Sequence, residues 1–312
     1  MRAIGVRQFG DESDLEVLDL PSPEPGSGEV RIRVHYATVN PTDTNVVRGV
    51  YGEEMQGAVG PWVPGMDVAG EIDAVGDGVA DFAVGDRVMA VVSPSGTHGG
   101  YAEQVVVPAL STAPVPDGIG LDAASTLPMN GLTAQVSLQD LALSEGDVLA
   151  VTGAAGCYGG YVVQLAKTRG ITVVADAKDD DVELVRSLGA DEVLERGAQF
   201  ASRVREGHPD GVDGLADGSV QHGEVADAVK DGGRMAVIRP YADDPGRGVD
   251  VHATWVFDHV TRQDWLRELA HLAAQGDLTL RVNRVMPAED AAEAHRLLAG
   301  GGLRGRLVLD LR

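Results

Sequence analysis

The hydrophobic pattern changes its period part-way along the chain. In "EVRIRVHYATVN", which begins at Glu29, apolar and polar positions alternate, the spacing of a strand with one buried face. "GEIDAVGDGVADFAVGDRVMAV", from Gly70, reads as short strands divided by Gly-Asp turns. These runs predict a compact, mostly antiparallel, barrel-like unit. From about Leu121 strands and helices alternate at the short connection lengths of parallel α/β units. "DVLAVTG" predicts a strand, "GGYVVQLAKTRG" a helix closed by Gly170, and "ITVVADA" the next strand. "DDDVELVRSLGA" predicts a helix with acidic residues in its first turn and Gly189 at its end. The strand "DEVL", a helix near "FASRVRE", the strand "GVDGLAD", a helix around "HGEVADAVKDGG" and the strand "RMAVIRP" complete a doubly wound parallel sheet. The tail "LTLRVNRVMPAEDAAEAHRLLAGGGLRGRLVLDL" predicts strand, helix and strand, returning to the first unit.

Composition narrows the class. With 312 residues, 44% of them hydrophobic, the chain can bury one large or two ordinary cores. No run reaches the roughly eighteen continuous apolar residues of a membrane span, and "MRAIGVRQFG" lacks a signal-peptide core, so a cytoplasmic protein is expected. One cysteine, Cys157, excludes internal disulfides and a cysteine-rich zinc lobe. The formal net charge of −23 is spread along the chain. It argues against nucleic-acid partners and means that an anionic ligand needs a local pocket that overrides the general field.

"VTGAAGCYGG" supplies such a place. Ala154, Gly156 and Gly159 follow the spacing A-x-G-x-x-G between a predicted strand and a predicted helix. Small residues there let a pyrophosphate approach helix-terminal amides, and Asp176, some twenty residues on, closes the second strand where a ribose contact belongs.

The chain resembles the zinc-free NADPH:quinone oxidoreductases (zeta-crystallin-like) of the medium-chain dehydrogenase/reductase superfamily, nearly end to end. The matching blocks are "ATVNPTDTNVVRG", "VPGMDVAGEIDAVGDGVADFAVGDRVMA", "GGYAEQVVVP", "AASTLPMNGLTAQVSL", "VTGAAGCYGG", "LVRSLGADEVL" and "GGLRGRLVL". The resemblance implies an α/β chain with a GroES-like, β-rich catalytic domain over residues 1–121 and 277–312. A Rossmann dinucleotide-binding domain over 122–276, a substrate cleft at the junction and a homodimer are implied with it. It also implies cofactor contacts from Ala154, Ala155, Gly156, Cys157, Tyr158, Gly159, Asp176, Lys178, Arg196 and Arg306.

Zinc members of the superfamily hold their metal with cysteine, histidine and carboxylate ligands. Asn40 stands where the first cysteine would be and Met66 where the histidine would be, leaving Asp67 alone. An amide and a thioether do not replace thiolate and imidazole on Zn²⁺, so no metal is expected and alcohol dehydrogenation is disfavoured. What remains is hydride transfer from NAD(P)H to an acceptor already electrophilic, a quinone or an α,β-unsaturated carbonyl. By the resemblance Asn40, Tyr51 and Thr133 line the site and offer donors to the new oxyanion. Tyr51 reads either as such a donor or as packing. Asp43 reads as a residue that fixes the loop after Asn40, and His98, with most other histidines, as a surface residue. Cys157 reads as a small-residue filler.

The cofactor signals disagree. Asp176 favours NADH, whereas Lys178 and Arg196 add cations suited to a 2′-phosphate; the reading leans to NADPH, with NADH as the alternative. The rival functions are an ene-reductase dedicated to one biosynthetic intermediate and a non-catalytic sensor of the NADPH/NADP⁺ ratio. "GVDGLADGSVQHGEV" keeps Asp217 but lacks the usual second glycine block, and Trp255 and Phe257 lie in an aromatic, irregular stretch.

Overall fold

The alternating run at Glu29 becomes a ten-residue strand whose Val30, Ile32 and Val34 are buried. A computed structural model describes residues 1–52 and 59–312. Its strands are β1 Arg2–Gly5, β2 Glu16–Asp19, β3 Glu29–Thr38, β4 Asp67–Val75, β5 Arg87–Val91, β6 Gln104–Pro108 and β7 Thr112–Pro114. There follow β8 Val148–Thr152, β9 Thr172–Ala177, β10 Glu192–Glu195, β11 Val212–Asp217, β12 Val229–Val237, β13 Asp250–Ala253, β14 Val282–Pro287 and β15 Arg306–Asp310.

The chain divides into two units. The first comprises Met1–Met129, Phe257–Ala274 and Leu280–Arg312. Its main sheet runs β14-β15-β3-β4-β5-β7, with β6 also paired to β3. Apart from β14 with β15, these pairings are antiparallel. Isoleucine, valine and leucine side chains from β3, β4, β6 and β15 form its core, each worth about 1.5–3 kcal/mol when fully buried.

The second unit comprises Asn130–Val256 and Gln275–Thr279. Its six-stranded sheet has the order β10-β9-β8-β11-β12-β13 and is parallel throughout. The order reverses between β8 and β11, and in such sheets a ligand crosses the strands' carboxyl ends at that point. β8 and β9 are buried almost throughout, as strands covered on both faces must be. Gln164 Oε1 accepts the Thr279 N–H at 2.8 Å, which ties the late segment to this unit.

One expected element is different. "HGEVADAVKDGG" forms a helix only over Gly223–Ala226, and the rest belongs to β12. Val229 pairs with Val212, a register shift follows, and Lys230 is ion-paired with Asp213 on the neighbouring strand. The Gly232–Gly233 pair favours an irregular strand over a helix there. Among the described residues no helix is long and apolar enough to cross a membrane.

Candidate functional site

In the second unit, β8 runs into Gly153 and then into the helix Cys157–Thr168. Gly153 has φ +67°, and a Cβ there would lie 3.0 Å from the Gly218 carbonyl carbon, so only glycine fits without strain. A Cβ on Gly159 would overlap the Gly153 carbonyl and come within 2.9 Å of Ala154 Cα. Helix and strand therefore meet backbone to backbone, which sets the helix N-terminus at the sheet's carboxyl edge. The N-cap residue Gly156 has no side chain with which to cap that terminus, where the helix dipole favours an anion.

Asp176 closes β9 and is 1% exposed. Its Oδ1 accepts the Ala154 N–H at 3.2 Å, while its Oδ2 is buried with no hydrogen-bond partner among the described residues. Arg196 Nε stands 3.7 Å from that oxygen, on a side chain 39% exposed. Burial raises the Asp176 carboxyl above its ordinary range, against the opposing pull of Arg196. A buried carboxylate oxygen lacking a partner beside a half-exposed guanidinium is suited to a vicinal diol, with or without a phosphate on it. Ala154, Ala155, Gly156, Cys157 and Gly159 come together at this edge, Lys178 is exposed just past β9, and Arg306 stands at the start of β15 in the other unit. The Tyr158 hydroxyl is turned to Ser137 Oγ, 2.8 Å away, which lies 2.9 Å from Thr254 Oγ1.

In the first unit, Asn40 ends the segment after β3 and is 2% exposed. Asn40 Nδ2 donates to Asp67 Oδ2 at 2.6 Å, and the Met129 N–H donates to Asp67 Oδ1 at 2.6 Å. Asp43 accepts the Asn40 N–H at 2.8 Å, the Gly65 N–H at 3.2 Å and the Tyr101 hydroxyl at 3.0 Å. Asp43 therefore holds the loop after Asn40. Tyr101 Oη also lies 3.1 Å from His295 Nε2, and His295 Nδ1 lies 3.4 Å from Thr44 Oγ1. A neutral imidazole protonated on Nε2 satisfies both contacts. Burial pushes the Asp43 and Asp67 carboxyls up to about 7 and pushes the His295 imidazole down to about 4. Tyr51 is half-buried, receives a hydrogen bond from Asn45 Nδ2 at 3.3 Å, and meets Phe257 edge-on at 6.4 Å. Thr133 is half-buried on the helix Pro128–Leu141, whose residues from Asn130 on belong to the second unit.

Residues 26–117 match the alcohol dehydrogenase GroES-like domain, and residues 188–309 match the zinc-binding dehydrogenase domain. The chain is 30% identical to the rat quinone oxidoreductase over 331 residues, covering 100% of this chain and 98% of the relative. It belongs to the quinone oxidoreductase family of the medium-chain dehydrogenases/reductases. Among solved structures, an NAD-dependent alcohol dehydrogenase superposes with a TM-score of 0.87 at 30% identity, with both chains fully covered. A mycobacterial protein complexed with NADPH superposes with a TM-score of 0.85 at 29% identity, covering 99% of this chain and 100% of the other. Membership of the quinone oxidoreductase family makes the chain an oxidoreductase.

The donors around Asn40 do not suit the zinc for which the second matched domain is named. Met66 is 1% exposed, Asn40 is an amide, and both oxygens of Asp67 already accept hydrogen bonds. Among the described residues, no group of three or more His, Cys, Asp and Glu side chains gathers as ligands would. The nicotinamide cofactor of the family does suit the residues present, on the evidence of the uncapped helix and the Asp176 Oδ2 atom.

Sequence reasoning missed Tyr101 and His295, whose contact joins positions 194 residues apart. His295 is 1% exposed and so is no surface residue, whereas His98 is half-buried, with its imidazole held below the usual range by burial. Trp255 is 46% exposed, whereas Phe257 packs on Tyr51. An open pocket of about 510 Å³ lined by Arg33, His35, Gln104 and Arg312 contains none of the candidate site residues.

Proposed function

We propose that the chain is a metal-independent reductase that uses NADPH to reduce quinones or α,β-unsaturated carbonyl compounds. The observation that carries the reading is the Asn40–Asp67 pair. At the position where zinc relatives place ligands, a neutral amide is locked to a carboxylate that is itself saturated by hydrogen bonds. Such a site lacks a Lewis acid for polarising an unactivated carbonyl, so the acceptor must already be electrophilic.

Bound, the cofactor supplies a hydride. The amides at the start of the helix Cys157–Thr168 hold its diphosphate, and Asp176 Oδ2 takes a hydroxyl of the adenosine ribose. Arg196 offsets the carboxylate charge and, with Lys178, offers cations to a 2′-phosphate. NADH is the second reading, favoured by Asp176 itself. Asn40, Tyr51 and Thr133 are the donors proposed for the oxyanion left on the acceptor. The Tyr51 oxygen accepts from Asn45, which suits donating its own proton to the reduced substrate. Residues 1–121 with 277–312 are the proposed catalytic domain and 122–276 the proposed cofactor domain, in a cytoplasmic homodimer.

Steady-state oxidation of NADPH and NADH with a panel of quinones, enones and alcohols is the test. A higher kcat/KM with NADPH is expected, with turnover of quinones or enones that survives prolonged chelation. Asp176→Ser should weaken NADH use more than NADPH use. Alcohol oxidation that chelation abolishes, or tight cofactor binding with no acceptor turned over, would overturn the reading.

A further inference from the structure

The loop that follows β11 holds a group with no assigned task. Asp217, fully buried at the end of β11, accepts the Thr152 hydroxyl at 2.7 Å through Oδ1 and the His222 backbone N–H at 2.7 Å through Oδ2. Thr152 ends β8, so this contact bridges the two strands between which the sheet order reverses. The Ser219 N–H donates to the same threonine at 3.2 Å, and Gln221 Nε2 donates to Ser219 Oγ at 2.5 Å. The loop is thus pinned at several points to the rim where a dinucleotide crosses.

Its backbone is strained. Val220 has φ +58° and His222 φ +51°. A β-branched residue and a bulky ring rarely adopt that region. The turn sets the imidazole flat against Tyr241, with ring centroids 5.0 Å apart and planes 6° from parallel. In that place His222 Nδ1 is buried and has no hydrogen-bond partner among the described residues; Asp217 Oδ2 is 3.8 Å away and already engaged. Native chains seldom leave a buried polar atom unmatched. On the opposite side of the crevice, Asp176 Oδ2 is unmatched in the same way, at the end of β9.

We propose that His222 is a recognition residue for the nicotinamide half of the cofactor, its Nδ1 completing a hydrogen bond with the nicotinamide ribose. Asp176, over β9, faces the adenosine half, and His222, across the reversal point, faces the other. This rests on the reading that a nicotinamide dinucleotide lies across β8 and β11. Tyr241 is a positioning residue, and Asp217 fixes the backbone from which the imidazole projects.

Two ligands separate the halves: NADP⁺ carries both nucleosides, whereas 2′,5′-ADP carries only the adenosine side. Dissociation constants are to be measured by calorimetry for the wild type, His222→Phe and His222→Gly. The phenylalanine keeps the stack on Tyr241, and the glycine suits the positive φ, so at least one variant keeps the loop. Each folded variant should bind NADP⁺ about tenfold more weakly, the scale of one hydrogen bond, and bind 2′,5′-ADP as the wild type does. Unchanged NADP⁺ affinity, or equal losses for both ligands in the glycine variant, would overturn the assignment. A wild type that binds neither NADP⁺ nor 2′,5′-ADP, nor NAD⁺ and ADP in their place, would instead overturn the cofactor reading beneath it.

Discussion

Asp67 joins two donors that sequence distance keeps apart, the Asn40 amide and the Met129 N–H. Burial, partly countered by those hydrogen bonds, brings its carboxyl to about 7, and the charge of Asp43 pushes in the same direction. A carboxyl raised above its unfolded value binds protons more tightly in the folded state, so its contribution falls as pH rises from about 4 to about 7. His295 works oppositely. Its folded value of about 4 lies below the unfolded one, so its contribution is lost as pH falls from about 6.5 to about 4. Asp67→Asn removes one carboxyl and leaves the histidine. The variant should gain stability relative to the wild type between pH 5 and pH 8, on the order of 2 kcal/mol. Thermal melts at both pH values check this, and parallel shifts would refute it. At this scale the sequence was legible where chemistry is local. Asp176 follows from its spacing to the glycine turn, and Asp43 from standing three residues after Asn40. The Tyr101–His295 contact was not, because the fold alone brings those positions together.

Among elements, the β8–helix–β9 unit was readable from pattern, since continuous apolar strands and a small-residue turn have few other uses. β12 was not. Its residues Val229–Gly233 show neither strand alternation nor an apolar run, the glycine pair argues only against a helix, and it is pairing with Val212 and Asp213 that makes them a strand. The contact between Gly159 and the Gly153–Ala154 backbone leads to a sharp expectation. Gly159→Ala must push the helix Cys157–Thr168 off β8, displacing the amides proposed to hold the diphosphate. Cofactor affinity should fall by at least about tenfold, and the melting temperature should fall with it. Fluorescence titration with NADPH and a thermal scan measure both. An alanine variant that binds like the wild type would show that the close packing is dispensable.

Over the whole molecule, the net charge of −23 opposes an anionic cofactor, and Arg196 with Lys178 supply only local relief. Salt screens the distant charges more than the near ones, the Debye length being about 8–10 Å at moderate ionic strength. NADPH affinity is therefore expected to hold or rise, by up to about twofold, between roughly 0.05 and 0.3 M salt. A steep fall would mean that the local cations dominate. The fold class was legible at this scale because period changes mark the units, while the return of the tail to the first unit rested only on the general closeness of chain termini. That return governs how the protein is made. β15 lies between β14 and β3, so the sheet of the first unit has a gap until Arg306–Asp310 leave the ribosome. The strands of the parallel sheet, ending at Ala253, have all emerged by then. During translation the middle of the chain can settle first, while Tyr36–Thr38 of β3, beyond the stretch that β6 covers, stay unpaired on that edge until β15 arrives.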